Sequence, residues 1–292
     1  MVSPLQVLVL GRGFVGKYLT DLLEERGINY ASTTTDGRDG TIKWRFSGED
    51  DAPDAQASTL PFAESVVVTF PLLGSAAARK LIESYAGGGR HAVAGSSNAT
   101  PRWIYLGSTR PFKESPSSRY TTPDVLAGGA RLEAEQCVIN SFGGCVLNLA
   151  GLWGGERVPS RWGRFYTTKE KLRGRLADRS LHLLHGADAA RAICAVAMSN
   201  NPTESLVGRW LVSDTRVYEI LQVITPDDRI CGFLSALLEE EADVRALLNA
   251  KTVEEIVMGE SAVTKRIDSS HFWNDFKTEP KYFYDRNRPD PY

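Results

Sequence analysis

One segment near the start of the chain, LQVLVL-GRGFVG-KYLTDLLEERG at residues 5–27, limits the possible folds more than any other feature. Six mostly apolar residues suit a strand buried on both faces. The residues after the glycines place Tyr18, Leu19, Leu22 and Leu23 on one helical stripe, and Gly27 supplies a helix stop. Between strand and helix, Gly11, Gly13 and Gly16 satisfy G-x-G-x-x-G. The first glycine permits a tight turn, the second lets a pyrophosphate approach the backbone, and the third lets the helix pack closely. The first amides of the helix and its dipole favour phosphate charge. Gly11, Arg12, Gly13, Phe14, Val15 and Gly16 are therefore the candidate dinucleotide-binding turn, the alternative being a glycine turn that holds no ligand.

The pattern that follows repeats strand and helix. Strands are expected near residues 28–33, 64–72, 102–109 and 145–154, with helices at 74–86 and from Thr122-Pro123-Asp124 to Asn140. Thr122 is the expected N-cap, with Pro123 at the first helical position. Residues 45–61 and the glycine-rich stretch 87–100 read as loops. Such alternation predicts an α/β fold with a doubly wound, mostly parallel sheet. Residues 1–155 are expected to form the dinucleotide-binding core. Residues 156–292 form mainly a small C-terminal substrate lobe, with about 184–215 returning to the core. Within that lobe, SALLEEEADVRALLNAKTVEEIVMG predicts two helices, the second capped by Thr252 with Glu255 three residues on. Apolar residues at 234, 237, 238, 244, 247 and 248 form a core stripe, and PKYFYDRNRPDPY is expected to lie across the body.

Composition removes several function classes. A net charge of -2 offers no field for nucleic acid or an anionic membrane, so neither partner is expected. No run approaches 18 apolar residues, so no membrane span is expected. The four cysteines, 137, 145, 194 and 231, form no CxxC pair, and no metal site is expected. Met1 leads almost directly into the first strand without a basic n-region or cleavage pattern. These features together predict a cytoplasmic protein.

Cofactor choice turns on the end of the second strand. A site for NAD places Asp or Glu there to hold the ribose 2′-hydroxyl. This chain has Ser32, Thr33, Thr34 and Thr35, with Asp36 late and Arg38 just beyond. Hydroxyls from Thr33 and Thr34, with guanidinium groups from Arg38 and Arg12, suit a 2′-phosphate, so NADP is expected ahead of NAD.

With the glycine turn, YLGST at 105–109, NLAGLWGGER at 148–157, LHGADAARAI at 184–193 and WLVSD at 210–214 in view, the chain resembles the extended short-chain dehydrogenase/reductases. More narrowly, it is similar to atypical NAD-dependent epimerase/dehydratase-like members, and the terminal TKRIDSSHFWNDFKTEPKYFYDRNR fits their final hairpin. The resemblance implies a Rossmann fold, a nicotinamide cofactor contacted also by Pro71, Leu72 and Arg131, and a homodimer through two helices per subunit. It also implies a YxxxK pair on the helix containing LEAEQ, yet the aligned positions hold Ala127 and Arg131, and no YxxxK occurs in the stretch. Alanine cannot exchange a proton, and arginine keeps its proton at working pH.

The candidates to replace the pair are Ser108 and Thr109, at the C-terminal end of a strand, and Tyr120, just before the helix. His185, at the family's His position, is expected chiefly to brace the two lobes. The run RWGRFYTTKEKLRGR, with Arg164, Lys169 and Arg173, reads either as a solvated basic face or as part of a site for an anionic substrate. Trp153 completes the expected substrate-binding set. Three functions follow: an NADP-dependent oxidoreductase or epimerase/dehydratase-like enzyme acting on a small substrate, an NADP-binding sensor or regulator without turnover, or a fold reused for non-redox isomerisation or cyclisation.

Overall fold

The computed structural model describes residues 5–47, 54–87, 100–260, 263–288 and 290. Its centre is a seven-stranded sheet, parallel throughout. In chain order the first strands are β1 (Leu5–Leu10), β2 (Tyr30–Thr34), β3 (Ile42–Lys43), β4 (Ala63–Val68), β5 (Arg102–Ser108) and β6 (Cys145–Leu149). Between them lie α1 (Phe14–Glu25), α2 (Ser75–Ala86) and α3 (Val125–Phe142). The short β7 (Gly151–Trp153), α4 (Lys169–Arg173), β8 (Ser180–Leu181) and β9 (Leu183–His185) follow, then α5 (Gly186–Ala197), α6 (Thr203–Leu206) and β10 (Gly208–Val212). The chain ends with β11 (Tyr218–Glu219), α7 (Ile220–Ile224), α8 (Asp228–Glu240), α9 (Ala242–Leu248), α10 (Val253–Met258) and α11 (Ser270–Asp275).

The strand order β10-β6-β5-β4-β1-β2-β3 reverses direction at β1, which pairs with β2 on one side and β4 on the other. The period-2 alternation of a strand explains its burial. Val7 and Val9 pack with α1 and α5, while Leu8 and Leu10 pack with α2 and α3. On α1, Val15, Leu19 and Leu23 point into the first of these layers. Each fully buried leucine there contributes about 1.5–3 kcal/mol. Gly27, at φ +62°, ends α1 in the left-handed conformation that costs a glycine little.

A separate apolar cluster collects Leu172, Leu176, Ile220, Leu221, Leu234, Leu237, Val244 and Ile256 from α4, α7, α8, α9 and α10. The region expected to form two helices, residues 235–259, lies in three, because the chain leaves helical geometry at Glu241 and again at Asn249. Leu247 is half-exposed rather than part of the core stripe. Thr252 does cap α10, accepting the Glu255 N–H at 3.2 Å. The cap of α3 is Asp124 rather than Thr122, its Oδ1 accepting the Leu126 N–H at 2.9 Å. Within the expected loop 45–61, a helical turn at Asp54–Thr59 carries Ala57 into the core beside Leu60. Most of the expected loop at 87–100 lies outside the described residues. No helix among the described residues is long and apolar enough to cross a membrane.

Candidate functional site

The glycine turn stands where β1 ends, at the reversal of strand order, the crevice where open α/β sheets bind ligands. Gly11 has φ +96°, and a Cβ on it would stand 2.7 Å from Thr69 Oγ1. Its N–H donates to Thr33 Oγ1 at 3.0 Å and its carbonyl accepts from Thr69 Oγ1 at 2.6 Å. A Cβ at Gly16 would stand 2.3 Å from the Gly11 carbonyl oxygen, so only glycine lets α1 sit this close. Gly13 is different: nothing lies within 4 Å of where its Cβ would be. It caps α1 with no side-chain hydrogen bond, and no acidic residue occupies the first turn of the helix. The backbone thus presents an open, uncapped helix start. Val15, from the same turn, is buried in the core.

Beside this turn is a cleft of about 670 Å³, lined among others by Arg12, Phe14, Lys17, Thr34, Arg38, Asp39 and Glu156. Arg12 is held in place: Nε donates to Thr20 Oγ1 at 3.0 Å, and its Nη atoms reach Asp21 at 3.6 Å and Asp39 at 3.4 Å. Arg38 pairs with Asp36 at 3.2 Å on an exposed surface. Thr33 is buried and bonded to Gly11, while Thr34 Oγ1 shares a 2.6 Å hydrogen bond with Thr41 and accepts the Gly37 N–H. Carboxylates therefore accompany both arginines expected to recognise a 2′-phosphate.

Beside the end of β4, Tyr105 of β5 joins three elements. Its hydroxyl accepts the Leu72 N–H at 2.9 Å, and Arg131 of α3 hydrogen-bonds to it. Burial raises the Tyr105 pKa above its ordinary value, and the Arg131 guanidinium acts in the opposite direction. Leu72 is buried and Pro71 exposed. Helix α3 is broken at Gly129 (φ 52°, ψ -148°), between Ala127 and Arg131. Two residues four apart share a helix face only if the turn between them is helical. The break separates the two positions at which the resemblance implies the catalytic pair.

Ser108 ends β5. Its Oγ accepts the Arg110 N–H at 3.2 Å and its carbonyl accepts Asn148 Nδ2 at 3.1 Å. Thr109 is buried, with its backbone bonded to Leu149 and Phe112. Beneath them lies a buried set that sequence reading missed. Glu135 of α3 pairs with Arg209 of β10 and accepts Asn148 Nδ2 at 3.0 Å. Gly107 is small for a reason, since a Cβ there would stand 2.5 Å from Glu135 Oε1. Its place in YLGST was the one local signal. Tyr120 is 73% exposed, its ring edge-on to His271 at 5.4 Å.

His185 is fully buried among Tyr18, Trp153 and Tyr282. Its Nδ1 accepts the Ala187 N–H at 3.1 Å, so Nε2 carries the proton toward Asp290 at 3.2 Å. Burial lowers its pKa, while Asp290 pulls in the other direction. Lys169 pairs with Glu240, and Arg173 with Glu241 and Asp243, tying α4 to α8 and α9. Arg164 is exposed and lies over Phe165. Among the described residues, no group of three His, Cys, Asp or Glu is placed to hold a metal ion.

Neither the family models nor the curated proteins give a match to this sequence. Solved structures do match its fold. A putative NAD-dependent epimerase/dehydratase from Methylobacillus flagellatus is 16% identical, with 94% of this chain and 92% of that one covered and a TM-score of 0.61. The chain shares the Rossmann-like α/β fold of that structure. A UDP-N-acetylglucosamine 4-epimerase from Bacillus cereus is 14% identical over 95% of this chain and 94% of its own, with a TM-score of 0.55. A short-chain dehydrogenase/reductase superfamily protein from Agrobacterium tumefaciens, solved with bound NAD, is 14% identical with coverages of 95% and 93% and a TM-score of 0.56.

Proposed function

We propose that the protein is a nicotinamide-dinucleotide-dependent oxidoreductase or epimerase/dehydratase-like enzyme acting on a small substrate. The observation that carries the reading is the turn itself. Gly11 and Gly16 are sterically obligatory, and Gly13 leaves open space before an uncapped helix start at the strand-order reversal. These residues fit a pyrophosphate, held by the α1 amides. Arg12, Thr34, Arg38 and Asp39 would face the adenosine ribose, and Leu72 with Arg131 the other end. When bound, the nicotinamide supplies a hydride donor or acceptor. Ser108 would orient a substrate oxygen, since the Arg110 N–H uses only one acceptor position of its hydroxyl and leaves its proton to donate.

NADP remains the first choice, because Arg12 lines the cleft and its side chain is 20% exposed. Asp21, Asp36 and Asp39 reduce the expected margin over NAD. The broken α3 favours a second reading, binding without turnover, because it separates residues 127 and 131. Thermal-shift titration with NADPH and NADH tests the first step, and stabilisation by neither refutes the proposal. Loss of nicotinamide absorbance with a panel of carbonyl compounds, slowed at least tenfold by Ser108→Ala, supports the enzyme. Tight binding with no oxidation across the panel supports the sensor.

A further inference from the structure

Residues 277–288 and Asp290 cross the body as a strap. The N–H groups of Lys281 and Tyr282 donate to the buried Asp188 carboxylate, Lys281 at 3.0 Å and Tyr282 at 2.8 Å. The Tyr284 N–H donates to the Tyr218 hydroxyl at 3.2 Å, and Asp290 accepts the Gly155 N–H. Between the strap and residues 153–160 is a partly open cavity of about 190 Å³. That is below the range of ordinary small-molecule sites and suits one compact group.

Its lining is rich in donors. Trp153 is 5% exposed, and its indole N–H has no acceptor among the described residues. Buried donors are seldom left unpaired, and this one belongs to a side chain that lines the cavity. Arg157 and Arg286 line the same cavity, and neither has an ion pair among the described residues. The two carboxylates present are engaged, Asp285 with Arg288 at 3.4 Å and Asp290 with His185 and Gly155. Two guanidinium groups without an ion pair among the described residues therefore line a cavity whose carboxylates already accept from other groups. A guanidinium fork matches the oxygens of carboxylate and phosphate.

We infer that this cavity binds the oxyanion, carboxylate or phosphate, of a compact substrate. Resting on the proposed function, the inference adds the chemical class of that substrate and the residues that select it. Gly155 lines both the cavity and the cofactor cleft, and the Arg157 guanidinium stands 4.0 Å over the Phe14 ring of the glycine turn. An oxyanion held here anchors the substrate next to the cofactor cleft, and the small volume excludes a bulky nucleotide at this end.

The test follows the Trp153 indole resonance of the ¹⁵N-labelled full chain, assigned with Trp153→Phe. Inorganic phosphate and succinate are titrated separately at fixed ionic strength, with and without NADH. A saturable shift of that resonance is expected, and Arg286→Gln should weaken it about tenfold or more while leaving NADH affinity unchanged. Response to phosphate alone identifies a phosphate ester as the substrate class, and response to succinate alone a carboxylic acid. NADH binding with no Trp153 response to either anion, or with a response indifferent to Arg286→Gln, overturns the inference and leaves the cofactor reading intact. A Trp153 response without NADH binding leaves the anion site standing and removes the proposed function.

Discussion

Replacing Asp39 with Asn should move cofactor preference toward NADPH. Asp39 has φ +52°, a left-handed conformation that Asn tolerates well, so the backbone stays as it is. What changes is the charge facing Arg12 at 3.4 Å. At that distance a unit pair in water is worth about 1.2 kcal/mol, and measured exposed pairs bring the value to about 1 kcal/mol or less. Exposure of the Asp39 side chain, 68%, justifies the lower figure. A 2′-phosphate arriving at Arg12 no longer competes with that carboxylate. The ratio of NADH to NADPH dissociation constants should rise about fivefold, the equivalent of roughly 1 kcal/mol. Nicotinamide fluorescence titrations at low salt measure both constants, and the gain should shrink in 0.5 M NaCl as screening weakens exposed charges. An unchanged ratio at low salt, or a shift toward NADH, would refute the assignment of Arg12 and Asp39 to the ribose end.

Gly16→Ala places a methyl against the Gly11 carbonyl, which belongs to the backbone and cannot swing away. It should cost about 1–3 kcal/mol in urea unfolding and abolish the NADH-induced thermal shift; retention of both would contradict the packing described. Asp188→Ala leaves the Lys281 and Tyr282 amides and Arg191 without their acceptor. Hydrogen exchange at residues 281 and 282 should accelerate at least a hundredfold, and wild-type protection there would show that the strap is held by other contacts. Burial lifts the Asp214 carboxyl to about 7, although the Tyr218 hydroxyl donates to it at 2.6 Å. The unfolded chain ionises the same group near 3.9, so between about pH 4 and 7 unfolding releases a proton and stability falls as pH rises. Asp214→Asn removes that term, and its Tm advantage over the natural protein should grow from pH 5 to pH 8; parallel profiles would count against the raised value.

Local signals carried the fold where one short stretch holds the whole physical reason. The apolar run 5–10, the glycines and the amphipathic α1 each act within a few residues, and the sheet order follows from their repetition. Signals failed where two local solutions were equally good or where the partner was distant. Thr122 before Pro123 and Asp124 are both competent caps, and the chain uses Asp124. Glu135 meets Arg209 across 74 positions, and nothing near either residue announces the other. The basic run at 169–175 finds its complement far along the chain, in the acids at 240–243, because opposite charges at that density favour a partnership as well as a ligand site. Those pairings direct Lys169 and Arg173 to α8 and the start of α9. Positive charge without an ion pair among the described residues is found instead at Arg157 and Arg286, one just after Gly154-Gly155 and the other on the strap. His185 and Asp188, at the start of α5, both receive that strap, through Asp290 and through the amides of residues 281 and 282. The brace expected of His185 between lobes is thus a clamp on the terminal segment, and what it fixes in place is the wall of the oxyanion cavity. A change at either residue should therefore reach substrate binding through Arg286 before it reaches the cofactor, because the glycine turn makes its own hydrogen bonds to Thr33 and Thr69.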